Sequence, residues 1–557
     1  MANLMTKAIA SLAMQAAVVG LVPATAQAFS FTLQEATIPE INQAFDANKL
    51  TSEQLVQLYL NRIEAYDVNG PGLNSFIKLN PDALETAAAL DIERELYGPR
   101  SPLHGIPVLL KDNIDTFDMP TTAGSVALEG SIPPNDAFLA QQLRDAGAVI
   151  LGKASLTEYA NFLTNGMPAG YSSLNGYTFN PYNPVPLPDG DGRPILSPGG
   201  SSAGSAVAVA ANLVTVSVGT ETSGSILSPG NQNSIVGIKP TVGLISRDGV
   251  VPIAASQDTA GPFGRTVTDA AILLGALTGV DPSDPATLTS EGEFLTDYTP
   301  FLEADALKGA RVGVPKDLYW DFLTEEQRVI VEDAIAAMRS LGAEIVEAEI
   351  PTARDVAGFS SSVLTYEFKR DLNAYLASLG PDAPVKTLAD VIAFNEANAE
   401  VALKYGQTRA LASQAIDLSP GSADTAKYLS DRATDLLLAK EQGIDAFIDA
   451  YDLDTVFFPG TTGASIGAKA GYPSIIVPAG YQSNLAPYGI TFLGKAYTEA
   501  DLIGFAYAFE QATLVRRPPS STPPLPGETI PEPGTVAALV VVTVTAVGMK
   551  RRQKAKV

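Results

Sequence analysis

The sequence contains no cysteine and a single histidine. Without cysteine there can be no disulfide, no thiolate nucleophile and no cysteine-ligated metal. The same lack fits export, where a stray thiol is a liability. One histidine, His104, rules out a multi-histidine metal site and leaves one position from which a conventional serine triad could be built. Positive charge is also scarce, with 36 Lys and Arg against 61 Asp and Glu and a net charge of −25. Phosphate recognition needs a basic footprint, so no nucleic-acid partner is expected. The acidic excess reads as solubility by self-repulsion. No Gly-x-Gly-x-x-Gly run follows a strand and no Walker loop occurs, so no nucleotide cofactor is expected; with one histidine and no cysteine, no metal is expected either.

What is present suits a globular chain. Its 557 residues are 46% hydrophobic and 17% charged, enough for a large core in one α/β domain or in two or three smaller ones. Thr51-Ser52-Glu53-Gln54 forms a capping box, and Leu55, Leu58, Tyr59, Ile63 and Tyr66 follow at helical spacing. Pro107 to Leu110, Ala148 to Leu151 and Val214 to Val218 read as buried strands of a mixed or parallel sheet. Ser205 to Leu213, uncharged and rich in Ala and Val, reads as a buried helix. Its N-terminal N–H groups would favour negative charge beside a glycine-serine loop. Glu325 to Leu341 predicts a helix with Ile330, Ile335, Met338 and Leu341 on one face, and Leu388 to Leu403 another. Strands interleaved with helices argue for an α/β sandwich.

Both ends differ from this body. Residues 1–28 read as a secretory signal: Lys7, an apolar stretch over 8–22, and Ala26-Gln27-Ala28 as a small-x-small cleavage site before Phe29. Residues 517–533 are rich in proline and serine and predict an extended, poorly packing linker. Pro531-Glu532-Pro533 then precedes a 16-residue apolar run, Gly534 to Met549, and a basic tail holding Lys550, Arg551, Arg552, Lys554 and Lys556. The run is shorter than the ~20 residues an untilted helix needs to cross a bilayer, and the basic cluster would stay on the cytoplasmic side. This order of parts resembles the PEP-CTERM sorting signal of bacterial exosortase substrates. The resemblance implies an exosortase-type partner, export, membrane contact before processing, and a final place at the membrane or cell surface. A simple C-terminal anchor is the other reading. The expected organisation is a signal peptide over 1–28, a catalytic domain over 29–515, a linker over 516–530 and a sorting signal over 531–557.

The chemistry concentrates in two glycine-serine runs and one lysine. The runs are Gly199-Gly200-Ser201-Ser202-Ala203-Gly204-Ser205 and Gly219-Thr220-Glu221-Thr222-Ser223-Gly224-Ser225. Lys111 closes the apolar run Pro107 to Leu110, in Gly105-Ile106-Pro107-Val108-Leu109-Leu110-Lys111-Asp112-Asn113. A serine hydroxyl needs a base within reach and donors aimed at the developing oxyanion. His104 sits in a Leu-His-Gly-Ile-Pro turn, where a histidine bonds backbone more readily than it serves as a catalytic base. A lysine can serve if burial keeps it neutral. Lys111 taken alone reads more readily as a surface ion-pair partner, and it is the two runs that favour the base. Asp112, next in sequence, would face the opposite way. The turn around Ser223-Gly224-Ser225 could present N–H groups to a substrate.

Taken together these segments resemble the amidase signature family. The resemblance runs through Leu103-His104-Gly105-Ile106-Pro107, Lys111-Asp112-Asn113, Gly152-Lys153, Asn180-Pro181-Tyr182-Asn183, both glycine-serine runs, Gly237-Ile238-Lys239-Pro240-Thr241 and Ser256-Gln257-Asp258-Thr259-Ala260-Gly261-Pro262. Near the C-terminus, Ala470-Gly471-Tyr472-Pro473 and Phe509-Glu510-Gln511-Ala512-Thr513 extend it, so that residues from about 34 to 514 are covered. It implies a mixed central sheet sandwiched between helical layers and a Ser-cis-Ser-Lys triad. Ser225 would be the acylated nucleophile, Ser201 the bridging serine after a cis peptide bond, and Lys111 the base. The N–H groups of Thr222, Ser223, Gly224 and Ser225 would form the oxyanion hole. The chain departs from the family pattern at Ala203, Glu221, Ser223 and Leu227, where glycine, aspartate, glycine and arginine are usual. Leu227 with Glu221 looks more like the peptide-amidase branch.

The implied activity is hydrolysis of a carboxamide, in a small amide or peptide amide, through an acyl-enzyme. The alternatives are an esterase of the same mechanism, one component of a transamidase, and a non-catalytic surface or matrix protein on an amidase scaffold. The stretch from about 300 to 450 would shape the acyl pocket.

Overall fold

Short β-branched and aliphatic runs, bounded by glycine, proline or a polar residue, build one large sheet. The computed structural model describes residues 30–188 and 190–530. Within them the strands of this sheet are, in chain order, β1 (Phe76–Leu79), β2 (Pro107–Lys111), β3 (Val149–Ala154), β4 (Val216–Glu221), β5 (Val236–Lys239), β6 (Thr259–Gly264), β7 (Arg311–Val314), β8 (Glu344–Glu347), β9 (Thr455–Pro459), β10 (Ser474–Tyr481) and β11 (Pro487–Leu493). Their spatial order is β8-β7-β9-β11-β10-β5-β6-β4-β2-β3-β1. The sheet is mixed. β3, β2 and β4 run parallel, as do β8, β7 and β9, while the strands between β4 and β9 pair antiparallel.

Every residue of β2, β3, β4, β6, β9 and β11 is buried. A strand buried on both faces must be covered on both, and helices provide the cover. The helix Ala203–Ala210 is apolar all round and wholly buried, as an internal helix must be. Gly204 lets it approach the backbone just before β1 and just after β3: a Cβ there would lie 2.3 Å from the Ser75 carbonyl oxygen and 2.5 Å from the Ser155 nitrogen. The α/β architecture expected from the sequence is therefore the observed one.

The capping box holds, with Thr51 as N-cap and Gln54 reciprocating at the head of the helix Ser52–Arg62. The helix Glu325–Ser340 buries Val331, Ala334, Ile335 and Met338, while Ile330 and Leu341 are half-buried. Other boundaries move. The third expected strand begins two residues late and runs on to Glu221. The buried helix begins at Ala203 and ends at Ala210, and Leu213 lies beyond it. The Gly204 N–H donates to the Ser155 carbonyl at 2.9 Å, so the helix start is partly spent on backbone. The helix expected over 388–403 breaks at Asn398, at φ −120° and ψ 36°.

The stretch expected as a loose linker is extended but packed. Arg516 is paired with Glu35 at 2.7 Å, and Thr522 and Glu528 are buried. Buried polar partners, rather than apolar area, hold this segment, and proline and serine content does not reveal them. Among the described residues no helix is long and apolar enough to cross a membrane. The proposed signal (1–28) and sorting segment (531–557) lie outside the described residues.

Candidate active site

Two parallel strands and two tight loops bring the singled-out residues together. β2 and β4 are adjacent, with Leu110 opposite Val218, so their carboxyl ends lie side by side. The space beyond such ends is the usual place for a site in an α/β sheet. Lys111 ends β2 and Glu221 ends β4. The loop from Gly199 to Ser202 enters the helix Ala203–Ala210, and the loop from Thr222 to Ile226 enters the helix Leu227–Gln232. The peptide bond between Gly200 and Ser201 is cis.

Lys111 is fully buried. Its Nζ lies 2.7 Å from Ser201 Oγ, 2.9 Å from Thr220 Oγ1 and 3.2 Å from the Thr220 carbonyl oxygen. The three contacts take all three donors of an ammonium; in the free amine two donors go to Thr220 and the lone pair accepts from the Ser201 hydroxyl. No carboxylate forms an ion pair with it among the described residues. Burial lowers its pKa to about 7, against the upward pull of the Asp258 and Glu221 carboxylates. Asn113 completes the setting by donating to Thr220 Oγ1 at 3.0 Å.

The serine runs are stitched to each other. The Ser202 N–H donates to the Ser225 carbonyl at 3.3 Å, and Ser202 Oγ donates to the Thr220 carbonyl at 3.0 Å. Ser201 is held by its own carbonyl, which accepts from the Thr157 N–H at 3.0 Å. Lys111 and Ser201 thus touch directly. Ser225 joins them through backbone, its side chain 8% exposed and without a hydrogen-bond partner among the described residues.

Glu221 shapes the second loop. Its Oε2 accepts from the N–H groups of Ile226 and Leu227 at 2.7 and 3.0 Å. Asp258 holds the other side: it accepts from Thr222 Oγ1 at 2.5 Å and from the N–H groups of Ile253 and Ala254 at 2.8 Å each. Burial raises the Asp258 pKa to about 6. Gly224 takes φ +80°. Among the described residues the N–H groups of Ser223, Gly224 and Ser225 meet no protein acceptor. The departures from the family pattern are accommodated locally. Ala203 faces Gly170, where a Cβ would sit 3.3 Å from its own, and Leu227 is buried with Ala464 and Ile476.

The remaining expectations sort cleanly. His104 accepts at Nδ1 from the Arg100 N–H (3.3 Å), so its Nε2 carries the proton and donates to the Leu90 carbonyl (2.9 Å). Both ring nitrogens serve backbone. Asp112 faces away from Lys111, as expected, and pairs with buried Lys153 at 3.1 Å. The sequence assigns no role to Thr220, Asn113 or Asp258, although each lies within a quoted motif. A cleft of about 520 Å³ reaches this loop: Ser223 and Gln257 line it together with Phe359, Leu364, Arg409 and Asp435. Those last four come from the stretch expected to shape the acyl pocket, and no sequence pattern marks them.

The comparisons with known proteins agree with the fold. A probable amidase of Arabidopsis thaliana is 45% identical over 504 residues, covering 88% of this chain and 92% of its own length. The crystal structure of the native peptide amidase from Stenotrophomonas maltophilia superposes with a TM-score of 0.81 at 44% identity, covering 88% of this chain and 99% of that one. A putative amidase of Schizosaccharomyces pombe is 34% identical over 526 residues, covering 88% of this chain and 87% of its own length. The family model described as Amidase matches residues 54–503, and the chain belongs to that family.

Proposed function

We propose that the protein hydrolyses a carboxamide through an acyl-enzyme on Ser225, with Ser201 as proton relay and Lys111 as base. The observation that carries this reading is a fully buried lysine, free of any carboxylate partner among the described residues, 2.7 Å from the Ser201 hydroxyl. With a pKa brought down to about 7, a large share of Lys111 is free amine at neutral pH. Neutral Lys111 takes the Ser201 proton while Ser201 takes that of Ser225. The Ser225 oxygen then bonds to the amide carbon. The N–H groups of Thr222, Ser223, Gly224 and Ser225 receive the oxyanion. As the C–N bond breaks, the proton returns through Ser201 to the leaving amine. Water repeats the sequence to free the acid.

Likeness to a peptide amidase favours peptide amides as substrates, and the same acyl-enzyme would accept esters. Export and an exosortase-type processing step rest on the composition of residues 1–28 and 531–557. The test is release of ammonia from peptide amides, run beside matched esters, with fluorophosphonate labelling of the nucleophile. Ser225→Ala should fold, lose labelling and lose turnover; wild-type turnover in that variant overturns the reading.

A further inference from the structure

The cleft that meets the oxyanion loop is not electrically neutral. Two of its three charged side chains cancel: Lys469 Nζ lies 2.6 Å from Asp435 Oδ1, and the other Asp435 oxygen accepts from Ser361 Oγ at 2.6 Å. Arg409 is left. Among the described residues it has no acidic partner within ion-pair distance. Its Nε donates to Asn165 Oδ1 at 2.8 Å and its Nη1 to the Asn161 carbonyl at 3.1 Å. Its guanidinium lies over the Phe162 ring, 5.0 Å from the centroid. These contacts fix the plane of the group and leave Nη2 without a protein acceptor. Partial burial lowers the Arg409 pKa with nothing to oppose it. In a chain of net charge −25 an uncompensated, held guanidinium beside a reaction centre is an unusual arrangement.

The unspent Nη2 of a fixed guanidinium fits a carboxylate, which it can bind through a charge-assisted hydrogen bond. The cleft volume, about 520 Å³, falls in the usual range for small-ligand sites and exceeds what a simple acyl group needs. We infer that the enzyme prefers acyl groups bearing a carboxylate, with Arg409 as the residue that receives it and an acidic peptide amide as the substrate class. This inference rests on the amidase reading of the same site and adds a selectivity to it.

The experiment is a kcat/KM comparison on matched dipeptide amides carrying glutamate, methionine or lysine, placed next to the amide in one set and one residue further in for the other. The wild-type enzyme should favour glutamate in at least one set by about 10- to 100-fold, the range expected for a hydrogen-bonded charge contact. The preference should lie mainly in KM and weaken with added salt. Arg409→Gln should bring the glutamate-to-methionine ratio near one, and Arg409→Glu should move the preference to lysine. Equal kcat/KM across both sets in the wild-type enzyme overturns the inference and leaves the amidase reading standing. Hydrolysis of none, with no fluorophosphonate labelling of Ser225, overturns both.

Discussion

In the proposed mechanism, whether Lys111 carries a proton decides whether the reaction can start. Burial disfavours its ammonium and brings the pKa to about 7. Only the free amine accepts the Ser201 proton, so activity rises as pH passes upward through that value. kcat/KM should climb about tenfold per pH unit below about 7 and level off above it. Flat activity from pH 5 to 9 would remove Lys111 from the proton path. Asp258 refines the same point. Its carboxylate pulls the Lys111 pKa upward, so Asp258→Asn should shift the acid limb of the profile to lower pH, with the amide oxygen still able to accept from Ile253 and Ala254. A limb that moves to higher pH contradicts this electrostatic account. Lys111→Ala, which removes the base itself, should cost about 10²- to 10⁴-fold in kcat with the circular dichroism spectrum retained.

The loop after β4 carries the N–H groups proposed to receive the oxyanion, and its conformation depends on one glycine. Gly224 sits at φ +80°, where a side chain costs about 1–2 kcal/mol. A Cβ there would meet only Ala464 Cβ, at an ordinary 3.6 Å, so the substitution strains backbone without filling the cleft. Gly224→Ala should therefore lower kcat by about 10- to 100-fold with little change in KM, since a displaced N–H is felt in the transition state. A rise in KM at constant kcat would mean the loop shapes binding instead. This loop also shows where the sequence is readable. The small-residue run announces a tight turn, and together the two runs turn the lysine closing an apolar strand into a candidate buried amine. Strand β4 is visible only from its β-branched half; its last three residues, Gly219 to Glu221, are buried by neighbours that propensity does not record. The helix over 388–403 breaks at Asn398 although its apolar spacing continues. Phe359, Arg409 and Asp435 meet across the cleft from separate elements, and no local pattern can encode such a meeting.

Composition misleads most at the C-terminal end of the catalytic body, where a proline-rich stretch turns out to brace the helix that begins beside Ser201. The C-terminus of that helix leaves carbonyl groups without intrahelical partners. Buried Arg62 and half-buried Arg516 take up carbonyls at and just past this end: Arg516 Nη2 donates to the Ala210 carbonyl at 3.1 Å, and Arg62 donates to those of Ala211 and Asn212 at 3.0 and 2.7 Å. Cations are favoured there by the helix dipole as well. Residues 522–528 keep Arg62 satisfied, and Glu35 does so for Arg516. Glu528 pairs with Arg62 at 2.9 Å, the two side chains being 0% and 2% exposed, and the Thr522 carbonyl accepts from Arg62 at 2.8 Å. Ending the chain after residue 515 removes Arg516 and leaves Arg62 buried without its acid. Breaking a buried pair in this way costs about 3–5 kcal/mol, and the loss falls on the helix that follows Ser201. The shortened protein should melt well below the full chain and lose amidase activity at temperatures the full chain tolerates. Glu528→Leu should reproduce most of the loss, and adding Arg62→Met should recover part of it, because two apolar side chains leave no orphaned charge. Full-length stability in the shortened protein, measured by thermal and urea unfolding, would show that the segment merely lies on the body and that the helix holds its own end.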